Sequence, residues 1–296
     1  MRYARPVRID HSKLVVKPGS KVRLKNFDPK YTGGFRSRSE AEADFAKDTA
    51  RLAKYQDILY AQNDYAMLVI FQAMDAAGKD GCIKHVMSGV NPQGCQVYSF
   101  KAPSSKELDH DYLWRTMCAL PERGNIGIFN RSYYEETLVM RVHPEILNFQ
   151  QLPSTTRKGD IWERRFRQIR NFEKYLVENG IAVVKFFLNV SRDEQKARFL
   201  ERIRNPEKNW KFSASDVKER HHWKAYMSAY EKMLSATSTK EAKWYVIPAD
   251  EKWFAHAAVA DVIAHELKGL GLKYPKLGKE QQSGLAEAER MLLAEK

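Results

Sequence analysis

An unbroken apolar run, Tyr65–Phe71 (YAMLVIF), leads directly into a glycine-bearing turn, FQAMDAAGKDG over 71–81. Such a run lacks the in-out alternation of a half-exposed strand, so it predicts a strand buried on both faces. A strand of that kind needs helices above and below it, which restricts the chain to layered α/β architectures. The remaining segments keep to that pattern. Cys95–Phe100 alternates like a second strand, Ile126–Phe129 and Ile181–Leu188 are short apolar runs, and Trp244–Pro248 supplies a fifth. Helical patterns separate them. Ser39 with Glu42 has the spacing of a capping box before a helix to about Ala61, and Ser104 with Glu107 repeats it before a helix to about Leu120. Ile161–Asn179 carries the stripe Ile169, Phe172, Leu176 and stops at Gly180; further helices are expected from Asp193 through Arg204, from Asp216 to Leu234 and over Trp253–Leu270. The expected fold is therefore α/β, with a central, mostly parallel five-stranded sheet flanked by helices. In such sheets ligands gather beyond the carboxyl ends of the strands, here the segments after Phe71, Phe100, Phe129, Leu188 and Pro248.

The turn after the first strand has the context of a phosphate-binding loop. A buried strand precedes it, a helix opens near Gly81–Met87, and Lys79 follows Gly78. The match to GxxxxGK[ST] is incomplete: Ala73 takes the first glycine position and Asp80 replaces the hydroxyl residue that would hold magnesium. A metal then needs another oxygen, and the carboxylate of Asp75 lies within the loop. Ala76, Ala77, Gly78, Asp80 and Gly81 are the loop candidates for phosphate binding, with Lys84 in the helix beyond. The alternative is a plain strand–turn–helix with a surface lysine.

Two further signals follow. After the third strand comes NRSYYEE, 130–136, where Asn130 holds the position at which phosphotransferases of this architecture often place a metal-binding acid. Arg131 is placed to offset charge on a phosphoryl group, and Glu135 or Glu136 would restore a carboxylate; ordinary acidic residues of a helix first turn are the competing explanation. Then Arg198, Arg202, Arg204, Lys208 and Lys211 alternate with Trp210 and Phe212, a composition suited to a lid over phosphates or to a solvated basic loop. Arg164, Arg165, Arg167 and Arg170 form another cluster, expected to be a solvated helix face. His221-His222 lacks a third ligand at metal spacing, His85 and Cys82 are expected to be packing residues, and Tyr112, Leu113 and Trp114 to belong to the core.

Charge asks for a partner. With 50 Lys+Arg against 37 Asp+Glu, the chain carries +13 over 296 residues, which suits a polyanion: nucleic acid, an anionic membrane or phosphorylated small molecules. No apolar run is long enough to span a bilayer, no apolar segment follows the charged start, and the 3 cysteines (Cys82, Cys95, Cys118) form no disulfide or zinc pattern. A cytoplasmic protein without membrane attachment is expected.

Taken together, FQAMDAAGKDG (71–81), SGVNPQG (88–94), HDYLWR (110–115), IGIFNRSYYE (126–135) and KNWKFS (208–213) resemble the second polyphosphate kinase family, and within it the single-domain subgroup called class III. The resemblance extends from about residue 10 to about residue 275. It implies a P-loop kinase fold with a helical lid, magnesium dependence (manganese as a substitute), and transfer of a phosphoryl group between inorganic polyphosphate and AMP or ADP. The family's loop aspartate and lysine fall on Asp75 and Lys79. Its second motif begins at Asn130, where aspartate is commoner, and continues with Arg131. The carboxylate associated with use of both AMP and ADP falls on Glu135, and the lid motif on Lys208, Trp210 and Lys211.

The expected organisation is an arm over 1–38, a kinase domain over 39–275 with its lid at about 200–222, and a tail helix over 276–296. Asp75, Lys79, Arg131 and Glu135 are the catalytic candidates, Asp75 also the metal ligand. Asn130, Arg204, Lys208 and Lys211 join the loop in binding phosphate or nucleotide. Expected partners are polyphosphate and adenine nucleotides, with guanine nucleotides as alternatives, no nucleic acid, and further copies of the chain in a dimer or tetramer. A nucleoside monophosphate kinase using ATP, or a basic nucleic-acid binder with a degenerate loop, are the competing functions.

Overall fold

The computed structural model describes residues 9–157 and 159–295; residues 1–8 of the expected arm and Lys296 of the tail lie outside the described residues. After α1 (Arg38–Gln62), strand β1 (Ala66–Ala73) and α2 (Lys79–Val86) form the strand–turn–helix. Then come β2 (Cys95–Ser99), the one-turn helices α3 (Ser105–Leu108) and α4 (Trp114–Met117), β3 (Ile126–Asn130), α5 (Glu135–Val142), the short α6 (Ser154–Arg157) and α7 (Ile161–Glu178). The second half adds β4 (Ile181–Asn189), α8 (Arg192–Arg204), a 3₁₀ segment Pro206–Lys211, α9 (Ala214–Glu219), α10 (Trp223–Thr237), β5 (Trp244–Pro248), α11 (Lys252–Gly269) and α12 (Lys279–Ala294).

The five strands pair in the order β2-β3-β1-β4-β5, every ladder parallel. All of β1 is buried, as its unbroken apolar run requires, and it is the central strand, with Phe71 beside Asn130 of β3 on one side and Phe186 of β4 on the other. The chain leaves β1 toward β3 and β2 and returns past it to β4 and β5, so the strand order reverses at β1 and a crevice opens at its carboxyl end. α1 and α11 pack together and α2 packs on α11; α5, α7 and α10 form a second group. The described part of the arm is irregular yet anchored: Leu14, Val16, Val22 and Leu24 are buried, and Val15 bridges Tyr245 of β5.

Several local expectations change. The cap of α1 is Ser37, whose side chain accepts from Glu40 N, because the chain turns two residues before Ser39. The Ser104–Glu107 capping box forms, but the helix stops after one turn; Asp111 Oδ1 takes the amide of Leu113 at 2.9 Å, a local bond that competes with helix continuation. Ser191, not Asp193, caps α8, and the helix expected over 216–234 is broken at Arg220–His222. The alternating β2 is an exposed edge strand, with Val97 50% accessible. Arg165 leaves the expected solvated face: it is buried, and its Nη1 donates to Glu136 Oε2 at 3.2 Å. Trp114 is half-buried and stacks on His110 instead of joining the core.

Candidate active site

The loop between β1 and α2 bends through two residues of positive φ, Ala76 at 59° and Gly78 at 105°. Gly78 caps α2, where the lack of a side chain removes the cost of that conformation. Ala76 has no such exemption and holds a sparsely populated conformation of the kind found where geometry serves function. The loop is braced by Arg198. Its guanidinium is buried and donates to the carbonyls of Ala76 (3.1 Å), Ala77 (2.7 Å) and Asp250 (3.0 Å), while its Nε donates to Glu194 Oε1 at 2.7 Å. Gln195 adds a bond from Nε2 to Asp75 O at 2.8 Å. With the loop carbonyls taken up by these side chains, Gly78–Gly81 at the start of α2 line the crevice, an arrangement suited to anions. Arg198 is thus a clamp on the loop and not a lid residue.

Lys79 is 8% accessible and its Nζ donates to Ala73 O (3.1 Å) and Met74 O (3.4 Å). Burial, then the nearby Arg131, hold its ammonium below the usual lysine range, against the pull of Asp75, Glu135 and Asp80. Arg131 follows β3 at φ 64°, another non-glycine in the left-handed region, and its amide is pinned to Phe71 O at 3.0 Å. That bend aims the guanidinium at the loop, where Nη2 donates to Asp75 Oδ1 at 2.7 Å. Asn130 Nδ2 donates to Asp80 Oδ1 at 2.6 Å, tying the two turns a second time.

Glu135 opens α5 and is partly buried. With the amide nitrogen of Gln72 facing it, Gln72 donates to Glu135 Oε1 at 2.8 Å and accepts from Ser132 N at 3.1 Å. Burial raises the Glu135 carboxyl above its usual range, while Arg131 and Lys79 oppose that.

Two cavities meet at this cluster. One of about 810 Å³ is lined by the loop, by Asn130 and Arg131, by Lys101 after β2, by Arg202, Lys208 and Lys211, and by Lys252 and His256 of α11. Eight Lys/Arg face it against four Asp/Glu. The other, of about 360 Å³, is lined by Met74, Leu138, Val139, Ile146, Tyr226 and Tyr230 together with Glu135, Glu219 and His143. Asp75, Arg131 and Asp216 line both.

The structure therefore brings Asp75, Lys79, Arg131, Glu135, Asn130 and the loop Ala76–Gly81 together, with Lys208 and Lys211 at the rim. Lys84 and Arg204 are exposed and line neither cavity. Arg204 is two residues past Arg202, about 200° around the helix, so only Arg202 reaches the crevice. Lys208 pairs with Glu201, and Trp210, 78% accessible, carries Lys211 Nζ 4.8 Å from its ring centroid. His85 lines the larger cavity and stacks on His256 at 4.5 Å, so it is not a core packing residue. No sequence motif marks Lys101, Asp216, Lys252 or His256. Lys101 follows β2, and Lys252 and His256 follow β5, both strand ends to which the topological rule already pointed; Asp216 carries no sequence signal.

Among the described residues no group of three or more His, Cys, Asp or Glu is arranged to hold a metal. A magnesium-like cation asks for less, one or two carboxylates completed by phosphate oxygens and water. Asp75 and Asp216, facing the same two cavities, fit that partial set.

Comparison with known proteins agrees with this geometry. The family model described as Polyphosphate kinase 2 matches residues 36–274. An ADP-polyphosphate phosphotransferase of Rhodopseudomonas palustris is 49% identical over 97% of this chain and all of its own length. An AMP/ADP-polyphosphate phosphotransferase of Meiothermus ruber is 43% identical over 89% of this chain and 95% of its own. The crystal structure of Polyphosphate Kinase 2 from Arthrobacter aurescens TC1 superposes with a TM-score of 0.85 at 37% identity, covering 96% of this chain and 99% of that one. Similarity in both sequence and fold thus extends over nearly the full chain, phosphate loop and arginine turn included, and the chain belongs to the polyphosphate kinase 2 family.

Proposed function

We propose that the chain moves a phosphoryl group from inorganic polyphosphate to AMP and ADP, giving ADP and ATP, and runs the same transfer in reverse. The observation that carries this is the shared wall: Asp75, Arg131 and Asp216 face both a basic cavity and a smaller one. The basic cavity suits a polyanion, and the smaller one, with Tyr226, Tyr230 and Leu138, suits a nucleoside.

Transfer in this arrangement is direct and in line. The terminal phosphate oxygen of AMP or ADP, already anionic near neutral pH, forms the new P–O bond as the bond to the rest of the polyphosphate breaks. Lys79 turns from the carbonyls of Ala73 and Met74 to the phosphate oxygens, and Arg131 covers the charge that builds on the transferred group. Asp75 and Asp216 would hold magnesium, which when bound neutralises donor and acceptor oxygens. The carboxylate of Glu135 sets which acceptor fits. We assign Lys208 and Lys211 to the donor chain, residues 39–275 to the kinase domain, and the cytoplasm as its location.

Self-association as a dimer or tetramer belongs to this reading; α12 displays Leu285, Met291, Leu292 and Leu293 to solvent, and light scattering measures the outcome.

The test is a donor–acceptor matrix: polyphosphate or ATP against AMP, ADP, GMP and GDP, with and without magnesium. ATP formed from ADP and polyphosphate alone is the expected result. Turnover with ATP as the only working donor would make the protein a nucleoside monophosphate kinase instead.

A further inference from the structure

β4 carries a lysine at the centre of the sheet. Lys185 is fully buried between Ile70 of β1 and Trp244 of β5, a position where lysine is rare unless every proton is matched. Here they are matched: Nζ donates to Glu173 Oε2 (2.6 Å), Thr237 O (2.8 Å) and Tyr134 OH (3.0 Å). Glu173, also fully buried, accepts at its other oxygen from Tyr133 OH (2.9 Å) and Tyr134 OH (2.7 Å).

A buried pair of this kind is a poor source of stability, because desolvation offsets the attraction; well-packed apolar residues often do as well. Its partners suggest another use. Tyr133 and Tyr134 lie between Arg131 and Glu135, the two groups this turn delivers to the site. Arg131 is held in a left-handed conformation at φ 64°, which persists only where the surroundings over-determine it. The residue after Glu135, Glu136, is tied from the other side, its side chain accepting from Arg165 at 3.2 Å and Gln150 at 2.6 Å. The turn is thus fastened at both flanks by buried charge, and its two site residues remain facing the cavities.

We infer that Lys185 and Glu173 are positioning residues for phosphoryl transfer, acting through the Tyr133 and Tyr134 hydroxyls to hold Arg131 and Glu135 in register with the phosphate loop. The inference rests on the polyphosphate-dependent function proposed for the same site.

The test removes hydroxyls while keeping rings. In Tyr133→Phe/Tyr134→Phe, kcat for ADP with polyphosphate is expected to fall at least about tenfold, with KM for polyphosphate within about twofold, as for a loss of transition-state placement. The same double change is then made in an Arg131→Lys background. If the tyrosines act through Arg131, the two losses do not multiply; independent structural damage would multiply them. Because Glu173 loses two donors in this variant, an all-apolar version, Lys185→Met/Glu173→Leu/Tyr133→Phe/Tyr134→Phe, is assayed beside it with folding checked by circular dichroism. That version replaces the whole charged and hydroxyl cluster, and it is expected to fold while keeping the tenfold loss. Parental activity in either folded variant, or multiplicative losses with Arg131→Lys, overturns the inference. An unmodified protein inert toward polyphosphate would instead overturn the functional reading.

Discussion

Arg131 Nη2 donates to Asp75 Oδ1 at 2.7 Å, joining turns that follow two neighbouring parallel strands. Without a phosphate the guanidinium and the carboxylate neutralise each other, and an incoming phosphate competes with Asp75 for the same N–H groups. Removing the carboxylate charge should therefore separate binding from chemistry. Asp75→Asn is expected to leave KM for polyphosphate unchanged or lower, since Arg131 is freed, while kcat falls by about 10² or more, the range for one group that stabilises a transition state. Steady-state kinetics with polyphosphate varied at saturating ADP measure both; an undiminished kcat would remove Asp75 from the chemistry.

Lys79 is the cation inside the loop, so its loss should cost turnover more than folding. Lys79→Ala is expected to reduce kcat by at least about 10². Truncation gives up the bonds to Ala73 O and Met74 O but also removes an ammonium whose charged form burial disfavours, so the thermal midpoint should stay close to the parent's. Near-parental turnover would place the phosphate elsewhere.

The features legible in the sequence were those fixed locally. The run YAMLVIF pointed to a doubly buried strand, and Gly78 before Lys79 to a turn that opens a helix. Asp75, Lys79 and Arg131 could be named because they lie beside strand ends, whereas Glu135 was separated from Glu136 only by the family resemblance. What stayed hidden depends on tertiary partners. Arg198 looks like its neighbour Arg202 in sequence, and only the approach of the loop carbonyls makes it a brace. Arg165 has the appearance of a solvated arginine until α5 brings Glu136 against it. The break between α9 and α10 has no proline or glycine to announce it, and nothing in the sequence marks Asp216 of α9 as a residue that lines both cavities.

Glu135 lines the smaller cavity and not the basic one. Its neutral counterpart should therefore act on the acceptor. Glu135→Gln is expected to change the ratio of kcat/KM for AMP to that for ADP by at least about fivefold, with KM for polyphosphate within about twofold. The isosteric amide keeps the bulk beside Gln72, so packing is not the variable. An unchanged ratio would reduce Glu135 to a helix first-turn acid.

The basic cavity makes a claim about salt. A linear polyanion releases counterions when its charges meet lysine and arginine, so log KM for polyphosphate should rise linearly with log salt. Lys208 and Lys211 line its rim. Lys208→Ala/Lys211→Ala is expected to raise KM at low salt and to lower the slope by about 0.7 for each lysine–phosphate pair removed, the value for single-stranded polyanions. A slope equal to the parent's would exclude both lysines from the donor track.

Two titratable groups, Asp48 on α1 and His256 in the wall of the basic cavity, should bend stability in opposite senses between about pH 4 and 6.5. Asp48 is 7% accessible, and burial, with Asp261 nearby, pushes its carboxyl from the ordinary 3.8 up to about 6 against the pull of Arg51. In that interval the folded form binds the proton and the unfolded form does not, so its contribution is complete below about 4 and disappears as pH rises through 6, at most about 3 kcal/mol. His256 is the converse: burial, then His85 and Lys252, lower it from 6.5 to about 4. The unfolded form takes up the proton first, so stability present above 6.5 is lost as pH falls toward 4. Thermal midpoints measured across the range from about pH 4 to about pH 7.5 should show Asp48→Asn gaining on the parent as pH rises and His256→Gln gaining as it falls. Curves parallel to the parent in both variants would mean that neither group titrates differently on folding.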